Sequence, residues 1–191
     1  MRRSALACAA IVLAGLAAAA IRVVYKGRGA LAEGESALGR GDKRGAIVAF
    51  EAAARWYLPG APHVAEAYAE LRALTADPAV ALPAWRAIRT AALACRWLVT
   101  PHGDDLAAAN AAIAKLSAAD PGVGSGGTEA WHATRLERTS APRPAVAALA
   151  VIGIALWIGA AIALARRRPA RMPAVVMAIG VALWAVGLYN A

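Results

Sequence analysis

A chain of 191 residues with 21 Lys and Arg against 12 Asp and Glu carries a net charge of +9, which at first suggests a nucleic-acid binder. Six of the cations, Arg2, Arg3, Arg166, Arg167, Arg168 and Arg171, flank uncharged apolar runs, leaving 15 to face all 12 acids between residues 22 and 143. So near a balance argues against an extended phosphate-binding surface and hence against a nucleic-acid partner, while two distant cysteines, Cys8 and Cys95, argue against a disulfide framework.

From the N-terminus, Met1-Arg2-Arg3 precedes an uncharged, alanine-rich stretch of 18 residues, 4–21. A basic start, an apolar middle and the small residues Ala18-Ala19-Ala20 fit a signal peptide. Ile21, Val23, Val24 and Tyr25 carry the apolar character past Arg22 and favour an uncleaved signal anchor over residues 1–25. Both readings export the segment that follows. The abundance of alanine and the use of 18 Arg against 3 Lys suggest a GC-rich bacterial genome.

The next segment, 27–120, matches itself at an offset of 35 residues. Gly41-Asp42 aligns with Ala76-Asp77, Ala46 with Ala81, Ile47 with Leu82, Phe50 with Trp85, and Ala53 with Ile88. A period of this size marks a helical-pair repeat. Ala46, Phe50, Ala53 and Tyr57 share one face of a helix, as do Ala81, Trp85, Ile88, Ala92 and Cys95. Val64, Tyr68, Leu71 and Leu74 form the stripe of a partner helix. Pro83 requires the helix that holds it to begin near Leu82.

Gly34, Gly41-Asp42, Ala46, Phe50, Ala53 and Pro59 fall on or within one position of the consensus of the tetratricopeptide repeat (TPR) family, which residues 27–98 resemble. The second copy keeps Ala69, Ala81 and Trp85 but has Ala76 in place of the turn glycine. The resemblance implies an all-α, short helical-hairpin solenoid. It also implies a groove lined by the first helix of each pair: Arg28, Leu31 and Glu35 from the first repeat, and His63, Glu66 and Glu70 from the second. Such a groove is acidic and suits a basic or apolar peptide.

Beyond the repeats, Thr100 and Pro101 followed by Asp104 and Asp105 read as a helix start. Leu106, Ile113 and Leu116 give that helix an apolar stripe fit to cap the open end of the stack. Residues 121–144, rich in Gly, Ser, Thr and Pro, read as a flexible linker in which Trp131 is the odd residue. Arg86, Arg89 and Arg96 form a basic strip whose expected partners are carboxylates of neighbouring helices.

Two uncharged runs, 145–165 and 173–189, close the chain, separated by a six-residue loop with four arginines. Their lengths predict two transmembrane helices in an antiparallel hairpin, 145–191, and the loop predicts a cytoplasmic turn. Ala155, Gly159 and Ala163 repeat at intervals of four, a ladder suited to helix packing in lipid. The expected architecture is thus an all-α domain with one N-terminal and two C-terminal transmembrane helices. It places the chain in a bacterial inner membrane, multi-pass, with the central domain in the periplasm.

No catalytic motif is present. The glycine run 122–127 lacks the lysine of a phosphate loop, and His63 and His102 lack the companions of a metal site. The reading is therefore a non-enzymatic adaptor without cofactor, binding a protein or peptide partner at the cell envelope. Repeats followed by two apolar helices also look loosely like the TPR members of Bat-type aerotolerance gene clusters, which implies assembly of envelope complexes. The alternative is a small membrane subunit of a transport or secretion complex whose C-terminal hairpin is the functional part.

Overall fold

In a computed structural model of the chain, the structure describes residues 2–96, 100–119, 127–140, 144–165, 175–176 and 178–183. All regular structure among them is helical: α1 (Arg2–Gly39), α2 (Lys43–Arg55), α3 (Pro62–Leu74), α4 (Ala81–Ala94), α5 (Gly103–Ala119), α6 (Glu129–Ser140) and α7 (Pro144–Ala165). Residues 175–176 and 178–183 are helical as well. The chain divides into two compact units, one holding α1 to α6 and the other α7 with the helical residues 175–176 and 178–183.

Local chemistry fixes the helix ends of the first unit. Gly41 takes φ +79°, a left-handed value open to glycine, and lets the chain reverse after α1. Asp42 then caps α2, its Oδ1 accepting from the Gly45 amide at 2.9 Å. Pro62 opens α3, where a missing amide hydrogen costs nothing. Asp77 accepts from the Ala79 amide at 3.0 Å and from Lys43 Nζ at 2.6 Å, tying the turn before α4 to the start of α2. Pro83 is the third residue of α4, inside the first turn that tolerates it.

The helices stack as successive pairs. α1 packs on α2 and α3, α2 on α3 and α4, α3 on α4, α4 on α5, and α5 on α6. Positions 35 residues apart do corresponding work. Asp42 and Asp77 each bind a turn amide; Ala46 and Ala81 are both buried; Ala53 and Ile88 are both fully buried; and Phe50 is fully buried where Trp85 packs at the edge of the core. Fully buried alanines on α2, α3 and α4, among them Ala53, Ala67 and Ala91, let the helices approach closely around Phe50, Tyr68, Leu71 and Ile88. Burying such a large side chain is worth about 1.5–3 kcal/mol. Gly34 admits the Phe50 ring directly against the α1 backbone: a Cβ there would sit 2.5 Å from Cδ1.

Three expectations from the sequence are corrected. The boundary between segments 1–25 and 27–120 falls inside a helix, because α1 runs unbroken from Arg2 to Gly39. The segment 121–144 is not wholly a tether. Its residues 129–140 form α6, which is started by the Thr128 hydroxyl accepting the Trp131 amide at 3.3 Å and packs on α5. The glycine run 122–126 lies outside the described residues.

The third correction concerns the membrane. Among the described residues no helix is long and apolar enough to cross one, which overturns both the three expected transmembrane helices and the multi-pass inner-membrane location. The basic loop 166–171, on which the orientation rested, lies outside the described residues.

In the second unit, Gly180 meets α7 backbone to backbone. A Cβ there would lie 2.7 Å from the Gly153 carbonyl oxygen and 2.9 Å from the Trp157 nitrogen. Gly153 and Ala160 are buried in α7. The ladder of Ala155, Gly159 and Ala163 is turned elsewhere: Ala155 and Gly159 are exposed, and nothing lies within 4 Å of a Cβ built on Gly159.

Candidate functional site

The six groove positions implied by the TPR resemblance divide into two groups. Leu31 and His63 belong to the core. His63 is fully buried against Gly27 of α1, where a Cβ would come 2.8 Å from its Cε1. Its Nε2 lies 2.9 Å from the Trp56 carbonyl, which makes Nε2 the donor, and its Nδ1 is buried with no partner. Arg28, Glu35 and Glu66 are exposed and Glu70 is half-buried, on the adjacent helices α1 and α3. The face along these helices is therefore charged, and two of its expected members hold the helices together instead of meeting a ligand.

A second cluster forms where α3, α4 and α5 meet. The His102 ring stacks on Tyr68, centroids 4.0 Å apart, and stands edge-on to Tyr57. His102 Nδ1 lies 3.2 Å from Asp105 Oδ2, and Asp105 Oδ1 lies 3.6 Å from Arg72 Nε, which also donates to the Tyr68 carbonyl. The Tyr68 hydroxyl is buried without a hydrogen-bond partner, and burial, with the neighbouring Cys95 and Asp105, pushes its pKa far above the ordinary value. Burial also pushes the Cys95 thiol up, Arg55 opposing, while Sγ donates to the Ala54 carbonyl at 3.5 Å. A thiol and a phenol both held protonated are poor nucleophiles. This cluster packs the repeat stack onto α5. Among the described residues no group of His, Cys, Asp and Glu is arranged to hold a metal ion.

The third arrangement is a cavity of about 510 Å³ between α4, α5 and α6. Arg89 of α4 is its structural post: Nε donates to Asn110 Oδ1 of α5 at 2.9 Å, and Nη2 donates to Thr139 Oγ1 of α6 at 2.7 Å. Arg89 of the basic strip thus ties α4 to neutral acceptors on α5 and α6. Burial, and then Arg96, lower the Arg89 pKa from its usual value. Arg86 lines the same cavity from α4, and Trp131, His132 and Arg135 line it from α6. The Arg135 guanidinium carbon lies 5.3 Å from the Trp131 ring centroid, within cation–π range. The His132 ring meets Trp131 edge-on, and its Nε2 is buried with no partner.

Reading 121–144 as linker hides this cavity. The signal that finds it is Trp131 with Arg135 four residues on, a helical spacing that a solvated tether has no reason to keep. No known protein family, curated protein or solved structure matches the chain.

Proposed function

We propose that the first unit is a non-enzymatic interaction module of TPR-like construction that receives a segment of a partner protein along the exposed face of α1 and α3. The observation that carries the reading is the lateral packing of α1 on α3 and of α2 on α4, with corresponding residues 35 apart. Stacks of this kind bury their cores between neighbouring pairs and leave one helix of each pair open along a continuous surface. Here that surface offers Glu35 and Glu66 in the open, Glu70 half-buried and Arg28 at its edge. A segment rich in Lys or Arg, or one with a basic residue beside apolar ones, complements it.

Selecting peptides against the purified chain from a random display library tests this. The selected sequences should be enriched in Lys and Arg. Binding should fall about tenfold in the Glu35→Gln/Glu66→Gln double variant and weaken with salt, as surface charge pairing does. Arg44→Gln on α2 should leave binding unchanged. Selected peptides without basic residues, or binding indifferent to the double variant, would refute the assignment of this face.

A further inference from the structure

The geometry points to the cavity between α4, α5 and α6 as a binding site for a phosphate monoester carried on a planar ring. It is separate from the α1/α3 face and does not depend on it.

Charge sets this cavity apart. Elsewhere in the first unit three cations meet carboxylates: Lys43 with Asp77, Arg55 with Glu51, and Arg72 with Asp105. Around this cavity Arg86, Arg89 and Arg135 converge, and among the described residues no Asp or Glu lines it. Gathering like charges at one mouth costs free energy that an anion recovers, and guanidinium groups bind phosphate oxygens through paired N–H donors. Arg89 is already committed to Asn110 and Thr139, which leaves Arg86 and Arg135, one from each wall, to reach the ligand. Arg135 is held by the Trp131 face and therefore loses little side-chain freedom on binding.

Shape and lining narrow the ligand. A volume of about 510 Å³ suits a small organic ligand. Trp131, 44% exposed, offers a flat apolar face beside the cations, and Ile113 and Leu136 supply an apolar floor. Together these favour a ligand with an aromatic body and a dianionic end. A carboxylate presents fewer acceptor sites than a phosphate to donors arriving from two walls.

The test is calorimetric titration of the full-length protein with phenyl phosphate, inorganic phosphate and benzoate. Phenyl phosphate should bind saturably at one site per chain, with inorganic phosphate competing about tenfold more weakly and benzoate weaker still. Arg86→Gln and Arg135→Gln should each weaken phenyl phosphate at least tenfold, while Arg44→Gln should not. Trp131→Leu should remove the advantage of phenyl phosphate over inorganic phosphate, because stacking is what the ring contributes beyond holding Arg135. Melting curves that overlay the parent's identify variants that keep the fold. Should α6 be loosened by Trp131→Leu, Trp131→Phe keeps a stacking face and should retain most of the preference. Absence of saturable binding, or binding indifferent to both arginine variants, would overturn the site. Benzoate binding as tightly as phenyl phosphate would overturn the phosphate assignment, and equal binding of inorganic and phenyl phosphate would overturn the role of Trp131.

Discussion

Four glycines lie in the C-terminal half of α1, and replacing them with alanine should have effects of opposite sign. At Gly34 a new Cβ would sit 2.5 Å from Phe50 Cδ1 and 3.0 Å from Cζ, at least half an ångström inside the 3.5–4.0 Å at which carbons rest comfortably. Phe50 is fully buried and cannot swing aside, so α1 and α2 must separate. Overpacking of this kind costs about 1–3 kcal/mol, and the better helix propensity of alanine returns up to roughly 1 kcal/mol. Gly34→Ala should therefore lose on the order of 1–2 kcal/mol. At Gly29 nothing lies within 4 Å, so Gly29→Ala should gain about 0.5–1 kcal/mol. For a chain of this size the two variants should melt some 4–10 °C apart, as read by circular dichroism on the full-length protein. Phe50→Leu should be less harmful in the Gly34→Ala background than in the parent, the coupling expected of a shared contact. Equal melting of Gly34→Ala and Gly29→Ala would refute the close pairing of α1 and α2.

Three further outcomes are expected. Ala46→Leu adds bulk at a fully buried position between stacked pairs and should cost about 1–3 kcal/mol, whereas Ala130→Leu on the exposed side of α6 should stay within about 0.5 kcal/mol; urea denaturation compares them. Lys43 and the Ala79 amide hold the Asp77 carboxyl below its ordinary value, so its contribution is present above the unfolded carboxyl range and lost as pH falls through the folded value. Urea midpoints should thus drop less between pH 6 and pH 3 in Asp77→Asn than in the parent. In a Cys8→Ser background, Cys95 should react slowly with a thiol reagent at neutral pH and rapidly in urea, because burial holds the thiol protonated; fast native labelling would contradict its packing against Ala54.

The 35-residue register was legible because it rests on local chemistry. Aspartates at turn positions, small residues at Ala46 and Ala81, and large ones at Phe50 and Trp85 each act within a helical pair or its nearest neighbour. Pro83 marked a helix start for the same reason. The groove was less legible. Whether His63 faces solvent or Gly27 is decided by the rotation of α3 against α1, which a repeat consensus carries only approximately. Composition misled at α6, where the helical residues 129–140 sit between segments rich in glycine and proline. It misled again in the apolar runs, where among the described residues no helix is long and apolar enough to cross a membrane. The contact at Gly180 depended on a partner some 25 residues away, and a ladder drawn along one helix does not contain that information.

The unbroken course of α1 has a mechanical consequence. Its 38 residues form a rod about 57 Å long with no proline and no turn between its first residues and Gly39. The rod ends inside the repeat stack, pinned by Phe50 at Gly34 and by His63 at Gly27. Rotation or pull applied at the N-terminal end is thus delivered to the first helical pair without a joint to absorb it. One residue inserted near position 20 would turn everything before it by about 100° relative to the stack. Four inserted residues would restore the facing to within roughly 40° and lengthen the rod by about 6 Å.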